Sequence, residues 1–296
     1  MAGRIGPGDV VARISHQQDI LFRVMEIGPV EGKGTQAILK GLDVRLAADA
    51  PLSDLVKKNP SEISRCRQAY IRKNSDLMRR IFERRAEDHS RVFMRGPFSS
   101  VIAGGQERDF FEVPGTVLHL DGDKEYLEIC RTTYSQLGIK ATTMPVPEKK
   151  QADVVIDYLK QYKPDILILT GHDGLIKNNK EFRDIKNYRH SRYFVEAVIK
   201  AREYEPNRDD LIIFAGACQS HYEALIDAGA NFASSPGRVL IHAFDPVFLA
   251  EKLAYTSIFD ALSLRDILSN TITGTEGVGG IETRGCLRLG YPKGSY

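Results

Sequence analysis

The chain has 296 residues, with 41 Lys plus Arg against 39 Asp plus Glu and a formal net charge of +2. That length allows one large domain, or one domain with a small accessory piece, and the near-neutral balance singles out no charged partner. Hydrophobic residues at 42% and charged residues at 27% fit a globular protein; no apolar run approaches the roughly 18 residues of a membrane-spanning helix, and the first residues lack the apolar stretch of a secretory signal, so a cytosolic start is expected.

Residues 8–47 read as short β segments: Gly8-Asp9-Val-Val-Ala-Arg13, Ile20 to Ile27, Gln36 to Leu39 and Asp43 to Leu46. Gly, Pro and Lys clusters separate them, and four short strands in so few residues predict a small SH3-like β-barrel over residues 1–50. Such a barrel does not by itself name a function. Residues 51–112 are expected to form a basic helix and a linker. Ten Arg or Lys lie between Arg65 and Arg95. A basic helix could take an acidic partner or nucleic acid, but Glu83, Glu87 and Asp88 interleave, and a solvated helix is the favoured reading. Residues 94–112 are rich in Gly, Ser and Pro and read as a linker.

From Val113 to the end the pattern changes to α/β. Apolar runs at Thr116 to Leu120, Lys140 to Val146, Asp165 to Thr170 and Leu211 to Ala215 predict strands. Phe232-Ala233 and Val239 to His242 predict two shorter ones. Helical stretches are expected at Tyr126 to Leu137, Ala152 to Tyr162, Ser191 to Tyr204 and His221 to Ala228. The alternation predicts a mostly parallel sheet covered by helices, with continuous apolar strands buried on both faces.

Ligands of open α/β sheets bind beyond the carboxyl ends of the strands. Three strand ends carry chemistry: Asp121-Gly122-Asp123, Gly171-His172-Asp173-Gly174, and Gly216-Ala217-Cys218-Gln219. A Cys and a His at the ends of neighbouring buried strands can converge at one rim, where the imidazole generates the thiolate and later protonates a leaving amine. This predicts Cys218 as nucleophile and His172 as general base of a cysteine peptidase. Main-chain N–H groups of Cys218 and of the residues around His172 would stabilise the oxyanion. His221 is a rival base; His119 and His242 lie within strand runs and read as structural. The four cysteines, Cys66, Cys130, Cys218 and Cys286, form no C-x-x-C, so neither a disulfide framework nor a zinc knuckle is indicated. A dinucleotide fingerprint is absent after the first α/β strand, and no cofactor or metal is expected. The rival functions are a metal hydrolase using Asp121, Asp123 and His172, a nucleotide-binding α/β protein, and a non-catalytic scaffold.

An apolar block ending in Gly-His, followed 46 residues after the His by an apolar block and Ala-Cys, resembles caspase-like peptidases. Within that group the chain is similar to the YabG sporulation-specific peptidases of spore-forming bacteria. The segments Leu118-His-Leu-Asp-Gly-Asp123, Pro164 to Asp173, Tyr188-Arg-His-Ser191, Phe214 to His221, Ala228 to Pro236 and Gly279 to Gly285 carry the resemblance. It implies a caspase-like peptidase domain over residues 113–296. It implies an endopeptidase made in the mother cell, then associated with the forming spore coat, that processes coat and cortex-associated proteins through His172 and Cys218. Caspase-like peptidases often have Gly directly after the His; here Asp173 intervenes before Gly174. Asp173, Gly174 and Gly171 are therefore the candidates for completing the oxyanion hole or orienting His172. For a basic residue, Arg or Lys, before the cleaved bond, the S1 candidates are Asp121, Asp123 and Ser235. Asp121 is expected to line the pocket, and Asp123 to cap the following helix with Glu125 in its first turn. Arg95 and Arg108 open the linker to self-cleavage.

Overall fold

The computed structural model describes residues 4–30, 34–42, 44–95, 111–176 and 181–291. The chain folds into two compact units, Met1–Leu77 and Met78–Tyr296. Among the described residues, no helix is long and apolar enough to cross a membrane.

In the first unit, β1 (Val10–Arg13), β2 (Phe22–Val30), β3 (Gly34–Gly41), β4 (Ala47–Pro51) and β5 (Leu55–Lys57) form an antiparallel sheet in the order β4-β3-β2-β1-β5. Inward residues Val11, Phe22, Val24, Ala37, Leu39, Ala50 and Leu55 make its core. The β2–β3 register shifts between Val24 and Glu26, a bulge that bends the ribbon. Two sequence expectations shift. The fourth strand lies at Ala47–Pro51 rather than 43–46, because Gly41 turns the chain there and Ala47 to Ala50 pair with β3. A fifth strand stands where the sequence predicts helix, because Leu55 is buried and its neighbours pair with β1.

Helix α1 (Pro60–Arg95) opens on a reciprocal cap: Asn59 Oδ1 accepts the Glu62 N–H, and the Glu62 carboxylate accepts the Asn59 N–H, both at 2.9 Å. Its basic residues are partly solvated, as in the 3.9 Å Arg79–Glu83 pair. Arg84 and Arg85 are the exception, for both bond the fully buried carboxylate of Glu251. The linker with Arg108 lies outside the described residues, and of Arg95 only the helical backbone is described.

The second unit is built on six strands in the order β13-β11-β10-β9-β7-β8: β7 (Val117–Asp121), β8 (Ala141–Pro145), β9 (Ile166–Thr170), β10 (Ile212–Ala215), β11 (Phe232–Ser234) and β13 (Val278–Gly280). All pairs are parallel except β11–β13. Every residue of β7, β9 and β10 is buried, which is why these strands read as continuous apolar runs. Helices α3 (Glu148–Tyr162) and α4 (Ser191–Tyr204) cover one face, packing Val155, Leu159, Phe194 and Val198 on Leu118, Leu120, Leu167, Leu169 and Ile213. Helices α2 (Lys124–Gln136) and α6 (Asp245–Ala254) pack together on the second unit's sheet. Between α4 and α6 in sequence lies the short α5 (Tyr222–Asp227). Strands β6 (Phe111–Val113) and β15 (Arg288–Gly290) form a separate antiparallel pair, as do β12 (Ala261–Leu262) and β14 (Thr283–Arg284).

Sequence expectation and structure agree on β7 to β11 and on four helices, with small shifts at the ends. The expected strand at Val239 to His242 is instead an irregular strap after β11. The unexpected α6 follows it, with Pro246 in its first turn and nearly every side chain buried. The chain leaves β7 in one direction to reach β8 and returns across β7 to β9, so the strand order reverses between β7 and β9. That crevice is where an open α/β sheet receives ligands.

Candidate active site

Strands β9 and β10 pair in register, with Leu169 opposite Ala215. His172 and Cys218 each lie three residues past that pair, so adjacent strands deliver them to the same level of one rim. The two loops are tied together. Ser220 Oγ donates to Asp173 Oδ2 at 2.8 Å, and the Gln219 amide oxygen lies close over Gly174. Gly216 makes the exit from β10 with φ of +107°, in a place where a Cβ would meet Ser234 Oγ at 2.4 Å.

His172 is held from several sides. Its Nε2 donates to Asp123 Oδ2 at 2.8 Å, its N–H to Glu148 Oε1 at 2.7 Å, and its carbonyl accepts from His190 Nδ1 at 2.7 Å. The Tyr126 ring stands edge-on to the imidazole at 5.9 Å between centroids. A carboxylate can only accept, so the Asp123 contact fixes the Nε2–H tautomer and leaves the Nδ1 lone pair. That Nδ1 is buried and makes no hydrogen bond among the described residues. Asp123 caps α2 as expected, with Oδ1 accepting from the N–H groups of Glu125 and Tyr126. The same side chain turns its second oxygen to His172.

Asp173 faces away from this pair. Its oxygens accept from the N–H groups of Gly174 and His190 and from the hydroxyls of Ser191 and Ser220. Burial pushes its carboxyl upward in pKa against those four donors. The residue therefore fastens the His172 loop to the Cys218 loop and to the start of α4. Gly174 has its N–H committed to Asp173; the N–H of Asp173 itself carries no bond among the described residues. Gly171 lies under the Glu148 carboxylate.

A family model for YabG peptidase U57 matches residues 6–292. The chain is also 43% identical over 286 residues to the sporulation-specific protease YabG of Bacillus subtilis (strain 168), across 96% of this chain and 97% of the relative. The chain belongs to the YabG peptidase U57 family. It is a sporulation-associated cysteine peptidase. Among solved structures it is similar to the receiver domain of the Francisella response regulator 1452, at a TM-score of 0.32 and 13% identity, over 48% of this chain and 96% of that one.

In this YabG-family chain two of the three S1 candidates, Asp121 and Ser235, are fully buried, and Asp123 is partly exposed. Asp121 has no exposed surface; Oδ2 accepts from Thr170 Oγ1 and Oδ1 from the Asp123 N–H, both at 2.8 Å. His119 donates to the same Thr170 hydroxyl at 2.6 Å and receives the Tyr134 hydroxyl at 3.2 Å. The result is a buried polar chain beneath the site. Ser235, also fully buried, accepts the Gln219 N–H and donates to the Val239 carbonyl. The rival base His221 caps α5 through Nδ1 and donates Nε2 to the Arg183 carbonyl at 2.9 Å, so both its nitrogens are engaged. His242 Nδ1 accepts from the Phe244 N–H at 3.1 Å. Among the described residues, no group of three or more His, Cys, Asp or Glu side chains could hold a metal ion.

The Cys218 thiol has no exposed surface. The Ile241 N–H donates to Sγ at 3.3 Å, and Sγ lies 3.7 Å from the Ile241 carbonyl. Ile241 belongs to the strap of residues 236–243. The strap is tied down by the Gln219 N–H on the Val239 carbonyl, the Gly237 N–H on the Glu276 carbonyl, and Arg238 on Glu223. Sequence reading misses Glu148, the imidazole contact of Asp123 and this cover. Only the Asp123 cap has a local signal, an Asp before a helical stretch with Glu125 two residues on.

Proposed function

We propose that Cys218, His172 and Asp123 are the machinery of an endopeptidase that works through an acyl-enzyme. The observation that carries the reading is the 2.8 Å bond from His172 Nε2 to Asp123, which leaves a buried, unpartnered Nδ1 as the proton acceptor. The Cys218 thiol gives its proton to that nitrogen, and the thiolate attacks the peptide carbonyl. The carbonyl becomes an oxyanion, stabilised by the uncommitted N–H of Asp173 together with main-chain donors at Cys218. The imidazolium is stabilised by Asp123 and protonates the leaving amine as the C–N bond breaks. A water then loses its proton to His172 and attacks the thioester. The tetrahedral adduct collapses, releasing a carboxylic acid product and the Cys218 thiol.

The substrate reading is cleavage after Arg or Lys in coat and cortex-associated spore proteins, in the mother cell and then at the forming coat. It is supported by the family resemblance and by two carboxylates at the end of β7, the partly exposed Asp123 and the buried Asp121 behind it. Their field favours a basic side chain. Ser235 would shape the neighbouring wall. The same preference directs self-cleavage to Arg95 and Arg108. The six-stranded sheet is read as a caspase-like domain over residues 113–296, the first antiparallel sheet as an SH3-like barrel over residues 1–50, and residues 51–112 as helix and linker. A membrane or nucleic-acid partner is not part of this reading.

The test is cleavage of casein and of an extracted coat-protein mixture by wild type, Cys218→Ala and His172→Ala. Both variants should fall to background with unchanged folding by circular dichroism. Activity surviving in Cys218→Ala ends the mechanism. Peptide libraries cut equally after Arg and after neutral residues would end the basic preference.

A further inference from the structure

Glu148 is an unusual side chain for its place. It is the first residue of α3, set there by Pro145-Val146-Pro147 at the end of β8, and it is only 8% exposed. No Lys or Arg pairs with it among the described residues, and its one hydrogen bond is from the His172 N–H at 2.7 Å. Burying a carboxylate away from a cation is unfavourable, and a helix N-terminus offsets only part of that.

Its seat explains what it does. A Cβ on Gly122 would lie 2.2 Å from Glu148 Oε1 and 2.7 Å from Oε2, and one on Gly171 would lie 2.3 Å from Oε1. The carboxylate is therefore pressed flat on the main chain at the ends of both β7 and β9. Gly122 immediately precedes Asp123, and Gly171 immediately precedes His172. One carboxylate thus rests against the two peptide units that carry the two partners of the 2.8 Å imidazole bond. One turn later in α3, the fully buried Gln151 donates to the carbonyls of Thr170 (2.8 Å) and Val146 (3.2 Å), and the Gly122 N–H reaches the Thr170 carbonyl at 3.0 Å. The start of α3 latches the carboxyl ends of β7, β8 and β9 together, and Glu148 is the part of the latch that touches the His172 loop.

We propose that Glu148 is a positioning residue: seated between Gly122 and Gly171, it fixes the main chain of Asp123 and His172 so that the imidazole meets the thiol and its carboxylate partner in one geometry. This rests on the reading of His172 as the general base. Misplacing a reacting group by about 1 Å can lower a rate by about 10²-fold. Substrate binding needs no contact with Glu148, so the effect belongs to kcat.

The test is steady-state kinetics of the full chain on a fluorogenic Arg peptide, with thermal unfolding in parallel. Glu148→Ala should lower kcat by about 10²-fold with KM within about two-fold of wild type. Glu148→Gln keeps an oxygen that can accept the His172 N–H and should stay within about five-fold of wild type, a shift that falls below the positioning effect. Gly171→Ala leaves Glu148 in the chain but fills its seat, and should behave as Glu148→Ala does. Three results would each overturn the proposal: full kcat in Glu148→Ala, a raised KM with kcat intact, or Glu148→Gln as impaired as Glu148→Ala. Cys218→Ala and His172→Ala run beside these separate the two claims. If they retain activity the catalytic reading fails; if they are dead while Glu148→Ala is fully active, only the role of Glu148 falls.

Discussion

Asp123 performs two tasks with two oxygens, and a single substitution can separate them. Oδ1 caps α2 through two N–H groups, while Oδ2 holds His172 Nε2. Asn is as good a helix cap as Asp, so Asp123→Asn keeps α2 in place. It removes the negative charge that stabilises an imidazolium and can present an NH2 group where the imidazole needs an acceptor. The expected outcome is a loss of about 10² to 10⁴ in kcat, the range general acid–base contributions span. The melting temperature should change little. Equal kcat in wild type and Asp123→Asn, measured on the same Arg peptide, would reduce the site to Cys218 and His172 alone. Asp173 shows the opposite arrangement. Directly after His172 in sequence, it is a natural candidate for orienting the ring, but its oxygens face the Cys218 loop and the start of α4. Adjacent residues in an extended turn project to opposite sides, which a string of letters does not display.

The elements that place His172 and Cys218 are legible in the sequence because their physics is local. Buried strands ending in Asp121, Thr170 and Ala215 announce themselves by apolar runs, and each reactive residue follows such a run. The strap of residues 236–243 misleads for the same reason. Val239-Leu-Ile-His242 looks like a strand, yet Ile241 is buried because it covers Cys218, not because it pairs in a sheet. Glu148 has no signal of its own, since its meaning comes from two glycines at distant positions. The strap carries its own prediction. Arg238 ties it to Glu223 at 2.5 Å across a partly exposed pair, and such pairs contribute up to about 1 kcal/mol. Iodoacetamide at neutral pH should label exposed Cys66 quickly and Cys218 slowly. Cys286, whose thiol burial pushes up to about 12, should stay unlabelled. Arg238→Ala should raise Cys218 labelling by up to about five-fold, the ratio that corresponds to about 1 kcal/mol of strap closure. Labelling of Cys218 as fast as Cys66 in wild type would show that the strap does not guard the thiol.

At the scale of the whole molecule, Asp54 of the first unit and the buried Asp173 and Asp245 of the second are shifted in opposite directions. In the first, Asp54 accepts the Ser15 N–H at 2.8 Å, the Ser15 hydroxyl at 2.7 Å and the Arg13 guanidinium at 2.9 Å. Burial works against its charged form, but the Ser15 and Arg13 contacts win and hold its carboxyl down to about 2. A carboxyl depressed in the folded state stabilises that state above its unfolded value. That contribution is lost as pH falls from the unfolded value through the folded one. For Asp54 the window runs from the ordinary value of 3.8 down to about 2. In the second unit, burial raises Asp173 and Asp245. An acid raised in the folded state has the reverse linkage: its protonation becomes favourable to folding as pH falls through the raised value. Acidification therefore weakens the antiparallel sheet of β1 to β5 through Asp54, while the raised carboxyls Asp173 and Asp245 do not add to the loss. Amide hydrogen exchange by mass spectrometry on the full chain, stepped from about pH 5 to about pH 2 with rates corrected for intrinsic acid dependence, should show β1 and the 14–16 turn losing protection before β9 and β10. Asp54→Asn, which lacks the titrating group, should start with less protection in β1 at the upper end of that range and change less across it. If wild type and Asp54→Asn lose protection in parallel, the acid response of the first unit lies elsewhere than in the Arg13–Ser15–Asp54 clamp.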